Sequence, residues 1–147
     1  MGQIAASVYI NRSQQDVFDF MSNPANLPAW KSAFASAEWT SRESPRIGST
    51  YRVSAKVLGS KKEGLFEIVR WDRPNCYAYQ MNARLFPIER IETTFTFQPM
   101  NNDTKVTFES RFALVSALAF AESFFARMGL KQDGEYLAIA KRLLEAV

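Results

Sequence analysis

Histidine is absent from the chain, so the side chains able to do chemistry are hydroxyls, phenols and a few charges. Without imidazole there is no Ser-His-Asp or Cys-His nucleophile and no histidine-ligated zinc or haem, nor any side chain whose unperturbed pKa lies near neutrality. A single cysteine, Cys76, permits neither an intrachain disulfide nor a thiolate cluster, as a reducing compartment would allow, and nothing beside it in sequence would activate it. Acid–base work would fall to carboxylate, phenol or guanidinium groups. Tyr51, Tyr77 and Tyr79 are phenols on strand-like segments and could donate protons or hydrogen bonds inward, with strand register deciding which of them do. Thr93 and Ser110 are the polar members of otherwise apolar strand faces; a hydroxyl satisfied within the protein outweighs a ligand contact for each. Glu67 would be the best acid–base candidate if buried, because burial raises a carboxyl pKa, but a solvated carboxylate is the stronger reading. Glu89 and Arg84, near strand ends, could line a pocket mouth. No converging catalytic set is assigned.

The elements that must position these groups follow from periodicity. Ile4, Ala6, Val8 and Ile10 alternate with polar or small residues, as in a half-buried strand. Ser13-Gln14-Gln15-Asp16 is a helix start, with Val17, Phe20 and Met21 at helical spacing and Asn23-Pro24 as its stop. Pro24 to Trp30 makes one short helical turn or two, and Phe34 lies either one helical turn on or at a strand start. From there to residue 112 the period is two. Tyr51, Val53, Ala55 and Val57 alternate with Arg52, Ser54 and Lys56, and the chain returns through Gly59-Ser60-Lys61-Lys62 to Trp71. In that strand Glu67 is in phase with Leu65, Val69 and Trp71 while Phe66 and Ile68 mark the other face, so which face is inside stays open. Asp72-Arg73-Pro74-Asn75 turns the chain into a strand bearing Tyr77, Tyr79 and Met81 on one face. Ile91, Thr93, Phe95 and Phe97 share a face, Asn101-Asn102-Asp103 reverses the chain, and Val106, Phe108, Ser110 and Phe112 oppose Lys105, Thr107, Glu109 and Arg111.

The last thirty or so residues carry a helical pattern, with Phe120, Phe124, Phe125 and Met128 on one side and Leu137, Ala140, Leu143 and Leu144 continuing an apolar stripe. Gly129 and Gly134 each weaken a helix by about 1 kcal/mol relative to Ala, which predicts a break or bend near 129–134. A curved antiparallel sheet with one apolar face must cover it, and only this last helix is long enough. The inward rings, Tyr51, Tyr77, Tyr79, Phe95, Phe97, Phe108 and Phe112 with the helix aromatics, either fill a core or surround a void. Aromatic residues are 14% of the chain and 12 of them are Phe, which gives both readings material.

The 147 residues suit one domain, 1–147, with no internal repeat or linker. Lys plus Arg total 18 against 15 Asp plus Glu, a net charge of only +3. The basic hairpin residues Arg52, Lys56, Lys61 and Lys62 are therefore read as solvated, and no nucleic-acid partner is implied. The longest uncharged stretch near the C-terminus, Phe112 to Ala121, falls far short of the about 20 residues a bilayer requires, and the N-terminus has no signal-peptide pattern. The chain is read as cytoplasmic and without integral membrane association.

Val8-Tyr9-Ile10, then Ser13-Gln14-Gln15-Asp16-Val17-Phe18-Asp19-Phe20-Met21, then Asn26-Leu27-Pro28-Ala29-Trp30 resemble the opening of the START-like (SRPBCC) superfamily, in its polyketide cyclase/dehydrase branch. Ile47-Gly48-Ser49-Thr50-Tyr51, Val69-Arg70-Trp71-Asp72-Arg73-Pro74 and Asp103-Thr104-Lys105-Val106-Thr107 are similar to later strand boundaries of that family, so the likeness spans nearly the whole chain. It implies an α+β helix-grip fold: a seven-stranded curved antiparallel sheet wrapped around a long C-terminal helix, two short helices after strand 1, and a hydrophobic cavity between sheet and helix. Aromatase/cyclase members place Arg and Tyr in that cavity. Some carry a Tyr shortly after the conserved Trp, where this chain has Ala35 to Ala37, and no matching catalytic constellation is found.

The expected function is binding of a small hydrophobic molecule, aromatic, polyketide-like or lipid-like, with no cofactor and no metal. Its expected contacts are Trp30, Phe34, Tyr51, Tyr77, Tyr79, Thr93, Phe95, Phe108, Ser110, Phe112, Phe124, Phe125 and Met128. For Trp30 and Phe34, pocket wall and plain packing weigh equally. The alternative is a polyketide cyclase or dehydratase-type enzyme using Tyr, Glu67 or Arg to move protons, which requires at least two ionisable or phenolic groups converging in one pocket. A third reading is a homodimer through the Phe120–Met128 segment.

Overall fold

The computed structural model describes residues 2–42, 45–57, 59–82 and 88–146, with only the backbone described at Val57. Strand β1 (Gly2–Ile10) leads into helix α1 (Gln14–Ser22). The Ser13 side chain caps α1 by accepting from the Asp16 N–H at 3.1 Å, as the Ser-x-x-Asp pattern predicts. Asn23 stops α1 and caps the 3-10 turn Pro24–Asn26, and helix α2 (Leu27–Trp30) follows. Strands β2 (Phe34–Trp39), β3 (Thr50–Val57), β4 (Ser60–Asp72), β5 (Cys76–Met81), β6 (Ile88–Met100) and β7 (Asp103–Leu114) complete a seven-stranded antiparallel sheet in the order β1-β7-β6-β5-β4-β3-β2. A second 3-10 turn, Ser116–Ala121, delivers the chain to helix α3 (Glu122–Glu145).

The alternations hold where they are cleanest. Val106, Phe108, Ser110 and Phe112 of β7 are all buried, as are Thr93, Phe95 and Phe97 of β6. The β6–β7 reversal is a two-residue turn closed by the Met100–Asp103 pair, and Asn101 takes the left-handed conformation that asparagine tolerates. In β4 the inner face belongs to Phe66 and Ile68. A bulge between Ile68 and Arg70 then shifts the phase and turns Trp71 back against Phe18 and Tyr77. The shift explains why Trp71, in phase with Glu67 in sequence, faces inward.

Helix α3 runs without a break through Gly129 and Gly134, contrary to the predicted interruption. At Gly129 a Cβ would sit 2.6 Å from Ile4 Cδ1, so this glycine permits close approach of α3 to β1. At Gly134 nothing lies within 4 Å of a Cβ. Gly134→Ala is therefore expected to stabilise the protein by about 1 kcal/mol, read from the urea midpoint, and Gly129→Ala to lack that gain.

One continuous helix has one phase. Tyr136, Leu137, Ala140 and Leu144 face the sheet, while Phe120 is 85% and Phe124 57% exposed. The inward placement expected for Phe120 and Phe124 is thus corrected: Phe124 lies on the opposite side of the helix from Tyr136 and Ala140, and Phe120 lies in the exposed 3-10 turn before it. Leu143, at 38% exposure, also leaves the expected stripe.

The two halves of α3 are held differently. At its C-terminal end, Arg12 Nη1 donates to the Leu144 carbonyl (2.7 Å), the Asn11 N–H donates to Glu145 Oε2 (2.8 Å) and Lys141 Nζ donates to the Tyr9 carbonyl (2.7 Å). That end closes over a packed core. Phe18 from α1, fully buried, meets Trp71, Phe97 and Tyr77 edge-on with ring centroids 5.0, 5.1 and 5.6 Å away. Toward the N-terminal half of α3 the sheet and helix enclose space.

Candidate functional site

A cavity of about 360 Å³ lies between the sheet and the N-terminal half of α3. Every strand supplies part of its wall: Ile4, Phe34, Ala55, Phe66, Tyr79, Thr93 and Ser110 come from β1 to β7 in order, with Met81, Ile88, Ile91, Phe108, Phe112 and Leu114 beside them. The helix supplies Phe125, Met128, Gly129, Gln132, Asp133 and Tyr136, and the segment after α2 supplies Lys31 and Ala33. Lys56, Met128 and Gln132 are exposed and mark where the cavity meets solvent. An apolar chamber with few polar groups is the usual form of a small-molecule site.

The three tyrosines part company here. Tyr77 points into the core at the α1 end, donates to the Met21 carbonyl (3.2 Å) and stacks on Phe95 and Phe97. Tyr51 stacks on Phe66 and does not reach the cavity. Burial drives the Tyr51 and Tyr77 hydroxyls well above the ordinary phenol range, so both stay neutral. Only Tyr79 lines the chamber. Its neighbours in register are Thr93 and, across the next ladder, Ser110, so one row of polar side chains crosses β5, β6 and β7 on the cavity face. Thr93 Oγ1 and Ser110 Oγ lie 3.1 Å apart and satisfy each other, the stronger of the two readings from sequence. Two hydroxyls share one bond, so one O–H remains to be donated.

The strongest polar feature was not among the expected contacts. Lys31 caps the C-terminal end of α2, and its side chain turns into the protein with only 7% exposure. Its Nζ donates to Tyr79 Oη at 3.3 Å and lies 5.1 to 5.8 Å from the ring centroids of Trp30, Phe95, Phe34 and Tyr79. Burial by itself lowers its proton affinity. The Tyr79 oxygen and the Asp133 carboxylate outweigh that effect and hold Lys31 above the usual lysine range, so it is an ammonium at neutral pH. Asp133 faces it from α3; burial pushes this carboxyl above its ordinary range, and Lys31 opposes the shift. Tyr136 accepts from the Ala33 N–H (3.2 Å), tying α3 to the segment behind α2.

Several expected contacts lie elsewhere. Trp30 and Phe95 are fully buried beneath the chamber, where they border a much smaller void with Lys31, Asp133 and Tyr136. Trp30 does not form part of the chamber wall, and its indole N–H is buried without a partner. Phe124 does not line the chamber, and Phe34 starts β2 and does. Glu67 is on the outer face of β4, where its carboxylate accepts from Asn82 Nδ2 at 2.8 Å, which removes it as an interior acid. Glu89 does not line the chamber, and Arg84 lies outside the described residues. Lys56, read as part of a solvated hairpin, is exposed and also borders the opening.

A curved sheet closed on a long C-terminal helix over an apolar chamber is the helix-grip architecture, and solved structures share it. The chain matches the Zhui aromatase/cyclase from a Streptomyces species with a TM-score of 0.83 at 11% identity, covering 97% of this chain and 93% of that one. It matches TTHA0849 from Thermus thermophilus with a TM-score of 0.82 at 20% identity, covering 98% and 97% of the two chains. A di-domain aromatase/cyclase, StfQ of the steffimycin biosynthetic pathway, matches with a TM-score of 0.81 at 11% identity over 98% of this chain and 50% of that one. At these identities the likeness defines the fold alone. The family model described as "Polyketide cyclase / dehydrase and lipid transport" matches residues 1–142, and the chain belongs to that family. No curated protein matches it. No described helix is long and apolar enough to cross a membrane.

Proposed function

We propose that the protein, acting as one unit over residues 1–147, binds a small hydrophobic molecule in the chamber between the sheet and α3. The observation that carries this reading is the 360 Å³ chamber, walled mainly by apolar side chains, with one polar row across the sheet and a buried cation beside it. Its volume falls within the range of ligand pockets, about 300 to 1,000 Å³. Aromatic, polyketide-like and lipid-like molecules all fit that chemistry. Fluorescence titration with 1-anilinonaphthalene-8-sulfonate tests it: saturable one-to-one uptake is expected, and non-saturable uptake at many sites would count against it.

A second reading, a cyclase or dehydratase-type enzyme, is favoured by one observation. Lys31, Tyr79, Asp133 and Tyr136 bring four ionisable or phenolic groups to one chamber, where the reading required at least two. Asp133, whose burial favours its protonated form, is the group suited to exchange a proton there, with Lys31 and Tyr79 placed to steady an oxyanion. Turnover of a poly-β-keto substrate that survives Asp133→Ala and Tyr79→Phe unchanged would eliminate it. The third reading, self-association, draws on exposed Phe120, Phe124 and Met128. If it holds, sedimentation should report a dimer that Phe124→Ser shifts to monomer.

A further inference from the structure

Lys31 is a cation nine-tenths buried in an apolar wall, a placement that lysine rarely adopts without a paired carboxylate. Among the described residues no carboxylate comes within ion-pairing distance of it. Its ammonium carries three N–H donors, and the 3.3 Å contact with Tyr79 Oη occupies one. The rings around it steady the charge but accept no ordinary hydrogen bond. Nearby donors are also unspent. The Tyr79 hydroxyl accepts from Lys31 and keeps its own proton to give, and the Thr93–Ser110 pair has one O–H left over. Against these donors stands one carboxylate, Asp133, across the chamber on α3, with the neutral Gln132 amide out at the exposed opening.

A region rich in unspent donors and poor in acceptors is matched by a ligand end that only accepts. We propose that the molecule held in the chamber is an organic acid, with Lys31 taking its carboxylate and Tyr79 donating to the same group. The proposal rests on the reading of the chamber as a hydrophobic binding site and adds the chemical class of the ligand. The apolar remainder lies along Phe66, Phe108 and Phe112. Asp133 competes with the ligand for Lys31, so removing its charge strengthens carboxylate binding.

The test compares 2-naphthoate with its neutral isostere 2-naphthamide by isothermal titration. The wild-type protein is expected to prefer the carboxylate by about 10- to 100-fold, the range of a charge-assisted hydrogen bond. Lys31→Met, which keeps the apolar stem, should erase that preference and leave naphthamide affinity within about threefold. Lys56→Met removes the exposed cation at the opening and should keep the preference. Asp133→Asn should tighten naphthoate. Equal affinity for the two probes in the wild type, a preference that survives Lys31→Met, or one lost with Lys56→Met would overturn the assignment to Lys31 while leaving the chamber as a binding site. Failure of both probes to bind the wild type would overturn the binding site itself, and the assignment with it.

Discussion

Ser110→Phe is expected to lower affinity for 1-anilinonaphthalene-8-sulfonate between about 50- and 100-fold while leaving the protein folded. Ser110 ends the polar row on β7, 2% exposed, with Phe108 and Phe112 two residues away on the same face. A ring at this position has one place to go, the chamber it borders. Denying a ligand about 100 Å² of apolar wall, at about 25 cal/mol per Å², removes about 2.5 kcal/mol of binding, which is close to the stated loss. The substitution also leaves the Thr93 hydroxyl without its partner, a penalty of about 1–3 kcal/mol, but the ring fills space that is otherwise empty and offsets part of it. Ser110→Ala supplies the control: it removes the same hydroxyl without filling the chamber, and should retain affinity within about fivefold. Loss of binding in both variants to the same degree would mean that the hydroxyl pair, not the space, holds the probe.

Phe18→Ala should show the opposite division of effects. Phe18 is fully buried and touches Trp71, Tyr77 and Phe97 edge-on, so truncation leaves a ring-sized hole in a cluster of aromatic rings. Such changes cost about 3–5 kcal/mol, against a total stability of about 5–15 kcal/mol for a domain. The melting temperature should fall by roughly 10 °C or more. Below that transition, affinity for the same probe should stay within about threefold of wild type, because the α1 end of the core and the chamber are filled by different side chains. A destabilisation under about 1 kcal/mol would show that this end of the sheet repacks freely.

These two results separate what holds the fold from what the fold encloses, and the sequence reveals the two unequally. Alternation in β1, β6 and β7 is clean enough to fix strands and faces, since their inner faces are largely apolar and their outer faces polar or small, but it does not name the partner that satisfies Thr93 or Ser110. The three tyrosines share the inner face as expected, yet only their position along the sheet decides that Tyr77 meets the α1 core and Tyr79 the chamber. Glu67 was ambiguous for a local reason: the bulge at Ile68 and Arg70 returns Trp71 to the inner face one residue out of step. No pattern of period two anticipates an inserted residue.

The helix hid the most. Two glycines predicted a bend, and a bend allows two independent faces, one set by Phe120 and Phe124 and another by Leu137 and Ala140. In the unbroken helix a single face runs through Phe125, Gly129, Asp133, Tyr136, Ala140 and Leu144, at steps of three and four residues. Stepping back from Leu144 at that spacing would have placed Asp133 and Tyr136 toward the sheet. Lys31 gave less warning. A lysine after a four-residue helix ordinarily reaches solvent, and its inward turn depends on rings contributed by Trp30, Phe34, Tyr79 and Phe95 from three separate parts of the chain.

Native mass spectrometry of the protein purified from its own host is the most direct measurement of whether the chamber holds a small molecule. The expected result is a single one-to-one adduct, displaced by excess 2-naphthoate and absent from Ser110→Phe prepared in the same way. Protein that carries no adduct and takes up no naphthoate, or adducts present equally in Ser110→Phe, would contradict it.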